Sequence, residues 1–237
     1  MKIVVLCGGR GKRLGELSDS NPKPLIKLKD KTILEIKINE YLKQGFDDFI
    51  FCTGYKADLI EKAVKSFDLK FSYTFSNAGE NAGMLERIYK AKECLGDIII
   101  VTYGDTYTNL NLKELIQTHL KSGNEATIVV APIRNPFGLV TFDGMNKVTQ
   151  FSEKPILNYY IGYAIFNNSA FDLIPPKVIT MPDGDGLVTF FKILIALEKL
   201  GMYYHSGMQI TFNTRAELVK AKDQFIGFFT YGKEENE

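Results

Sequence analysis

Three glycines and three cations fall within six residues at Gly8-Gly9-Arg10-Gly11-Lys12-Arg13, directly after the apolar run Ile3-Val4-Val5-Leu6. Glycines let the backbone approach a bulky anion so that successive N–H groups face its oxygens, while Arg and Lys neutralise its charge. The chemistry indicated is polyphosphate binding. The spacing is neither the GxxxxGK[ST] of a P-loop nor the GxGxxG of a dinucleotide fold. A further cation, Lys23, stands between two prolines in Asn21-Pro22-Lys23-Pro24-Leu25, where the flanking rings restrict the backbone and predict a fixed, extended segment. Asp183-Gly184-Asp185-Gly186 has the look of a metal loop but lacks the other calcium-loop ligands, and reads as a turn leading into a helix. The two histidines, His119 and His205, have no ligand spacing and read as structural, with His119 on the exposed run of its helix.

The elements that must carry these residues follow from pattern. With 237 residues, 45% of them hydrophobic, the chain supplies one sizeable core, read as a single domain over residues 1–237 with halves 1–123 and 124–237. Lys plus Arg number 29 against 28 Asp plus Glu, so the net charge of +1 gives no global pull toward nucleic acid or membrane, and any anion site is local. Cys7, Cys52 and Cys94 show no CxxC spacing, which argues against disulfides and zinc and for reduced thiols in a cytoplasmic protein. The apolar run before the glycines is too short for a signal peptide or a membrane span. β-rich runs at 3–6, 49–53, 71–75 and 98–103 alternate with helical periodicity at 33–45, 57–66, 84–92 and 112–122. That order predicts an α/β fold with a largely parallel sheet. Thr32 and Glu35 have capping-box spacing. Four closely spaced strands at 127–131, 139–142, 148–152 and 160–166 are expected to extend the sheet antiparallel, and helices at 187–200 and 215–225 to close it.

Taken in order, these motifs resemble the sugar-1-phosphate nucleotidyltransferases, and within that family the glucose-1-phosphate cytidylyltransferases. The resemblance covers nearly the whole chain. The family's G-G-x-G-T-R-L loop stands as Gly8-Gly9-Arg10-Gly11-Lys12-Arg13-Leu14, with Lys12 for the usual Thr, and Pro22-Lys23-Pro24 follows in register. Thr102-Tyr103-Gly104-Asp105 matches the T-Y-G-D strand end, Asn109-Leu110-Asn111-Leu112 the D-L-D-I helix start, and residues 77–85 the base segment. Phe137-Gly138, Glu153-Lys154-Pro155 and Gly162 complete the series.

The resemblance implies a mixed, mainly parallel sheet with a Rossmann-like nucleotide-binding half, as in nucleotide-diphospho-sugar transferases. It further implies transfer of a nucleoside monophosphate, with CTP favoured as donor, to a phosphorylated small molecule with release of pyrophosphate. Arg13 would hold the leaving phosphates, Lys23 the α-phosphate, and Asp105 a Mg²⁺ cofactor. Leu6, Cys7, Gly8, Gly9, Arg10, Gly11, Lys12, Asn77 and Gly83 would bind the nucleotide, and Glu153, Lys154, Ile161, Gly162 and Asp185 the acceptor. A role in capsule or cell-surface glycan synthesis follows, without nucleic-acid or membrane partners and with self-association left open.

Two positions depart from the family pattern. Its late metal ligand is an Asp, whereas the matching segment here reads Gln209-Ile210-Thr211-Phe212-Asn213-Thr214, so Asn213 offers a neutral oxygen to the metal. Where sugar-handling members carry N-G-G, this chain carries Ile161-Gly162-Tyr163, and an Ile cannot hydrogen-bond sugar hydroxyls. The departures leave three readings: a phosphoglutamine-type cytidylyltransferase with a non-sugar acceptor, an enzyme acting on a sugar phosphate, or a catalytically silent nucleotide-binding module.

Overall fold

The computed structural model describes residues 1–11, 15 and 21–231. Lys12 and Arg13 of the glycine-rich loop lie outside them. The strands are β1 (Lys2–Leu6), β2 (Asp48–Thr53), β3 (Ser72–Asn77), β4 (Ile98–Tyr103), β5 (Tyr107–Thr108), β6 (Ala126–Arg134), β7 (Leu139–Phe142), β8 (Val148–Ser152), β9 (Ile156–Asn167), β10 (Leu200–Tyr204) and β11 (Gln209–Ile210). The helices are α1 (Ile33–Lys43), α2 (Ala57–Ser66), α3 (Met84–Lys90), α4 (Leu112–Ser122), the single turn α5 (Pro176–Ile179), α6 (Asp185–Ala196) and α7 (Arg215–Tyr231). Seven strands form one sheet in the order β10-β6-β9-β4-β1-β2-β3, so both sequence halves share it.

Strands β3, β2, β1 and β4 are mutually parallel, as the alternation of strands and helices predicts. The expected antiparallel extension holds for β9 alone. It runs antiparallel to both β4 and β6, and two reversals turn β6, with its parallel neighbour β10, back to the direction of the first half. The expected strands at 139–142 and 148–152 do form, but as a separate two-stranded hairpin outside the sheet. The helix expected to reach Leu200 stops at Ala196, where a chain reversal with Glu198 at φ 56° lets Leu200 open β10.

Because strand side chains alternate between faces, the inner strands β1, β2, β4 and β9 each feed two cores. Val4, Ile50, Cys52, Val101 and Phe166 pack beneath α3 and α6 on one face. Ile3, Val5, Phe49, Phe51 and Ile165 pack beneath α1, α2 and α4 on the other. Thr32 caps α1 by accepting from the Glu35 N–H at 3.1 Å, while the Glu35 carboxylate pairs with Lys31 at 2.7 Å. Asn111 caps α4 and Gly123, at φ 67°, ends it. His119 is buried rather than exposed. It follows Leu112 and Leu115 at helical spacing on the face that meets the sheet, and its ring nitrogens lie 2.9 Å from Thr127 Oγ1 and 3.1 Å from Asn167 Oδ1. A third, smaller core joins Ile26 and Leu28 to Tyr107, Ile210, Phe212, Leu218 and Phe225. It brings the Lys23 segment, the β5–β11 ladder and α7 to one place. Among the described residues no helix is long and apolar enough to cross a membrane.

Candidate active site

Strand β1 leads to β2 on one side and is flanked by β4 on the other, so the sheet order reverses beside it, where ligands of open α/β sheets collect at carboxyl strand ends. Leu6 ends β1 opposite Tyr103 of β4, and the Gly104 N–H donates to the Leu6 carbonyl at 2.9 Å. A Cβ on Gly104 would lie 2.9 Å from both Cys7 Sγ and Leu6 O. The glycine is therefore required by the close approach of the two strand ends. The chain then turns so that Asp105 faces a cleft.

Two clefts open at this edge. The larger, about 670 Å³, is lined by Leu6 through Gly11, by Glu80-Asn81-Ala82, Met84 and Arg87, and by Pro182-Asp183-Gly184. The smaller, about 220 Å³, is lined by Thr106 to Thr108, Ile133, Tyr160 to Tyr163 and Gln209 to Thr211. Lys23, Tyr103, Asp105 and Asn213 border both, so the clefts meet at these four residues.

At that junction Lys23, only 7% exposed, places its Nζ 2.6 Å from Asp105 Oδ2 and donates to Asn213 Oδ1 at 3.3 Å. The Phe212 ring centroid lies 5.2 Å away and adds a cation–π contact. Lys23 does not sit in an extended segment. Lys23–Leu25 is a 3₁₀ turn closed by Leu25 N–H to Pro22 O at 2.8 Å, and the chain is extended at Ile26, which follows it. The backbone is restrained as expected, by a hydrogen bond as well as by the prolines.

Asp105 and Asn213 present two hard oxygens to one point. Among the described residues no cluster of three or more His, Cys, Asp or Glu side chains could hold a metal ion by itself. One carboxylate plus one amide oxygen suits Mg²⁺, which favours octahedral oxygen coordination, retains waters and completes its shell with substrate phosphates. The residues present fit such an ion.

Of the residues singled out in the sequence, Leu6, Cys7, Gly8, Gly9, Arg10 and Gly11 line the larger cleft, and Ile161 and Gly162 the smaller. Asn77 and Gly83 line neither. Asn77 Oδ1 accepts the Gly79 N–H at 2.8 Å, and Gly83 packs against the Met181 carbonyl, where a Cβ would come within 2.2 Å. The segment between them reaches the cleft through Glu80, Asn81 and Ala82 instead. Glu153 and Lys154 also line neither cleft. They occupy the exposed turn between β8 and β9, paired with each other at 3.5 Å, with Lys154 at φ 45°. Asp185 begins α6 and points to solvent, because Asp183, at φ 45°, turns the loop so that residues 182–184 face the cleft.

The sequence reading missed Arg87. Its guanidinium is buried under the glycine loop, donating through Nη1 to Thr53 O at 2.6 Å and through Nη2 to Glu80 O at 3.3 Å. Burial lowers its pKa. A Cβ on Gly8 would lie 2.2 Å from Arg87 Nη1, and one on Gly54 2.0 Å. Those two glycines, just past the ends of β1 and β2, were the available signal that a large side chain arrives from another element. Arg10 closes the rim of the cleft, paired with Glu80 at 2.8 Å and lying over the Tyr55 ring.

Lys37 was missed as well. It is buried in α1, donates to Thr102 Oγ1 at 2.6 Å and to the Tyr103 carbonyl, and lies over the Tyr163 ring. It anchors the end of β4 from below. Burial raises the pKa of Cys7 well above the thiol range, so its Sγ is a neutral wall of the cleft.

Comparison with known proteins adds independent findings. The family model described as "Nucleotidyl transferase" matches residues 2–183. A probable glucose-1-phosphate cytidylyltransferase of Bacillus subtilis is 31% identical, covering 93% of this chain and 94% of that protein. A mannose-1-phosphate guanylyltransferase catalytic subunit beta of Drosophila melanogaster is 32% identical over 74% of this chain and 51% of its own length. Among solved structures, HddC from Yersinia pseudotuberculosis superposes with a TM-score of 0.72 at 22% identity, covering 94% of this chain and 99% of that one, which is a likeness of fold.

Proposed function

The chain belongs to the nucleotidyl transferase family, among the sugar-1-phosphate nucleotidyltransferases, and from that premise we propose that it transfers CMP from CTP to a phosphorylated small molecule and releases pyrophosphate. The observation that carries this reading is the meeting of the two clefts at Lys23, Asp105 and Asn213. A nucleoside triphosphate in the larger cleft puts its α-phosphate at the junction, and an acceptor phosphate in the smaller cleft approaches from the opposite side, as in-line displacement requires. An acceptor phosphate oxygen forms the new bond to the α-phosphorus while the bond to the β-phosphate bridging oxygen breaks. The acceptor phosphate is already anionic at neutral pH and needs no general base.

The protein's task is to bring two anions together. The Gly8–Gly11 backbone cradles phosphate, and Lys23 exchanges its contact with Asp105 for the α-phosphate oxygens. Asp105 and Asn213 would hold Mg²⁺, which supplies charge neutralisation on the phosphates. Gly8 and Gly9 receive the nucleotide on a floor fixed by Arg87. The lean to cytosine rests on the Bacillus subtilis relative, and the guanylyltransferase relative makes the donor base a point for direct test.

The smaller cleft bears on the acceptor. Ile133, Ile161 and Ile210 give it three side chains that cannot hydrogen-bond, beside four tyrosines, Gln209 and three threonines, of which Thr108 already meets His205 Nε2 at 2.7 Å. Ile161, which lines the cleft where sugar-handling members carry Asn, supports an acceptor other than a common hexose phosphate.

The deciding experiment is pyrophosphate release with Mg²⁺, each of the four nucleoside triphosphates, and a panel containing hexose 1-phosphates, phosphorylated amino-acid amides and phosphorylated polyols. Turnover highest with CTP and a non-sugar phosphate is expected. Turnover with a hexose 1-phosphate returns the acceptor to the sugar class. Nucleotide binding without turnover on any acceptor replaces the reading with a silent binding module.

A further inference from the structure

Among the described residues the buried charged side chains are Lys23, Lys37 and Arg87, three cations and no acid. They converge on the carboxyl ends of β1, β2 and β4. Lys23 has Asp105 as its counter-ion, and Arg87 lies under Gly8 with neutral carbonyl partners. Lys37 is the most deeply buried of the three at 1% exposed. The displacement described above makes no use of its charge.

Lys37 belongs to the buried face of α1, with Leu34 and Tyr41 one turn to either side, so its side chain runs inward rather than out to water. Its Nζ donates to Thr102 Oγ1 at 2.6 Å and to the Tyr103 carbonyl, and lies 4.5 Å from the centroid of the Tyr163 ring. A hydroxyl oxygen, a carbonyl and a π face all attract a proton donor. An ammonium has three protons to give, whereas the lone pair of a neutral amine would face one of these groups. The contacts describe a cation, yet none of them requires one. A neutral amide could donate to both oxygens without the desolvation penalty of a buried charge that has no acid paired with it.

Tyr103 borders both clefts, and Asp105 follows it by two residues, a chain length of at most about 7 Å. The ammonium therefore sits beneath the junction of the clefts, within protein, where charge is weakly screened. Its reach extends to the glycine loop: burial raises the Cys7 thiol, and the Lys37 charge acts on the same thiol in the opposite direction.

We infer that Lys37 is a fixed interior positive charge of the reaction centre, which touches no substrate and attracts the polyphosphate through space. In the free protein no described acid compensates it, and the incoming phosphates do. The effect must then grow with the charge of the ligand, because Coulomb energy follows the product of the charges. A lysine that only tied α1 to the end of β4 would act on every ligand alike. This role rests on the reading of the larger cleft as a polyphosphate site, and not on which base or acceptor is used.

Isothermal titration calorimetry with CTP, CDP, CMP and pyrophosphate, without divalent metal, compares the parent with two variants. Lys37→Met removes charge and donor, and Lys37→Gln removes the charge but keeps a donor. Circular dichroism checks the fold, and Lys37→Gln carries the test alone if the methionine variant does not fold. Both variants should weaken CTP binding at least about tenfold, CDP and pyrophosphate less, and CMP by no more than about threefold. Lys113→Met, at an exposed position of α4, should change none of them by more than about twofold. An equal loss for CTP, CDP and CMP overturns the inference, as does full CTP affinity in Lys37→Gln, which would assign the role to hydrogen bonding. A parent that binds none of the four ligands overturns it too. A graded loss in a chain that turns over no acceptor still supports the fixed charge and removes only the transferase reading.

Discussion

Replacing Gly8 by alanine should be costly only while Arg87 is present. The Gly8 backbone is not in the left-handed region, so alanine is conformationally acceptable there, and the cost is steric. The three atoms nearest to the added Cβ all belong to Arg87: Nη1 at 2.2 Å, Cζ at 2.5 Å and Nε at 2.9 Å. The guanidinium must move and surrender its bond to the Thr53 carbonyl. A hydrogen bond from a charged donor is worth about 1.5–3 kcal/mol, and overpacking adds about 1–3 kcal/mol, so Gly8→Ala should destabilise by roughly 2.5–6 kcal/mol. Arg87→Ala alone strands the Thr53 carbonyl and should cost about 2–4 kcal/mol. In the Arg87→Ala background the obstructing atoms are gone, and adding Gly8→Ala should cost no more than about 0.5 kcal/mol. The double-mutant cycle therefore predicts a coupling of at least about 2 kcal/mol, with the double variant more stable than additivity allows. Equilibrium urea unfolding followed by circular dichroism measures all four corners. Costs that add to within about 0.5 kcal/mol would show that Arg87 is not the floor of the glycine loop.

Four further outcomes are expected. Lys23→Ala and Asp105→Ala should each lower turnover by about 10²–10³ with the fold retained; Lys23→Ala should act on kcat more than on CTP affinity and Asp105→Ala should raise the Mg²⁺ requirement, and steady-state rates across Mg²⁺ and CTP titrations separate the two. Asn213→Asp should hold or raise activity at limiting Mg²⁺ by adding a second anionic ligand, whereas a raised acceptor KM with an unchanged metal requirement would place Asn213 against the acceptor instead. In thiol titration with a chromogenic disulfide, exposed Cys94 should react at once and buried Cys7 and Cys52 only after unfolding. Burial raises Cys52 from 9.0 to about 12 and Tyr103 from 10.0 to about 12. Their stabilising contribution is complete below the ordinary values and fades as pH rises toward about 12, so the urea midpoint should fall between pH 9 and pH 12; a midpoint that rises there contradicts the assignment.

The parallel half of the sheet was legible because strand and helix periods alternate with clear punctuation, and Lys23 because prolines bracket it. Asn213 was legible only through the family pattern, since nothing local marks a residue whose partner lies 190 positions away. Arg87 and Lys37 were hidden for a physical reason. Each is a charge among apolar neighbours on a helix, Leu85 and Ile88 for one and Ile36 and Ile38 for the other, and helical spacing alone does not tell a buried cation from a solvated one. The directions of β6 and β10 depend on where β9 inserts, a choice made by packing between distant segments.

The position of β9 also governs the order in which the molecule can be assembled as it is made. In the finished sheet β6 and β10 reach β4 only through β9, although β6 is synthesised some twenty residues earlier. While β9 is still within the ribosome, the four parallel strands can associate, but the flank of β4 stands bare and β6 has nothing to pair with. Emergence of β9 fills both vacancies in one step. Only the last stretch of chain then brings Asn213 to Lys23, so a nascent polypeptide holds its glycine loop long before it holds a finished reaction centre.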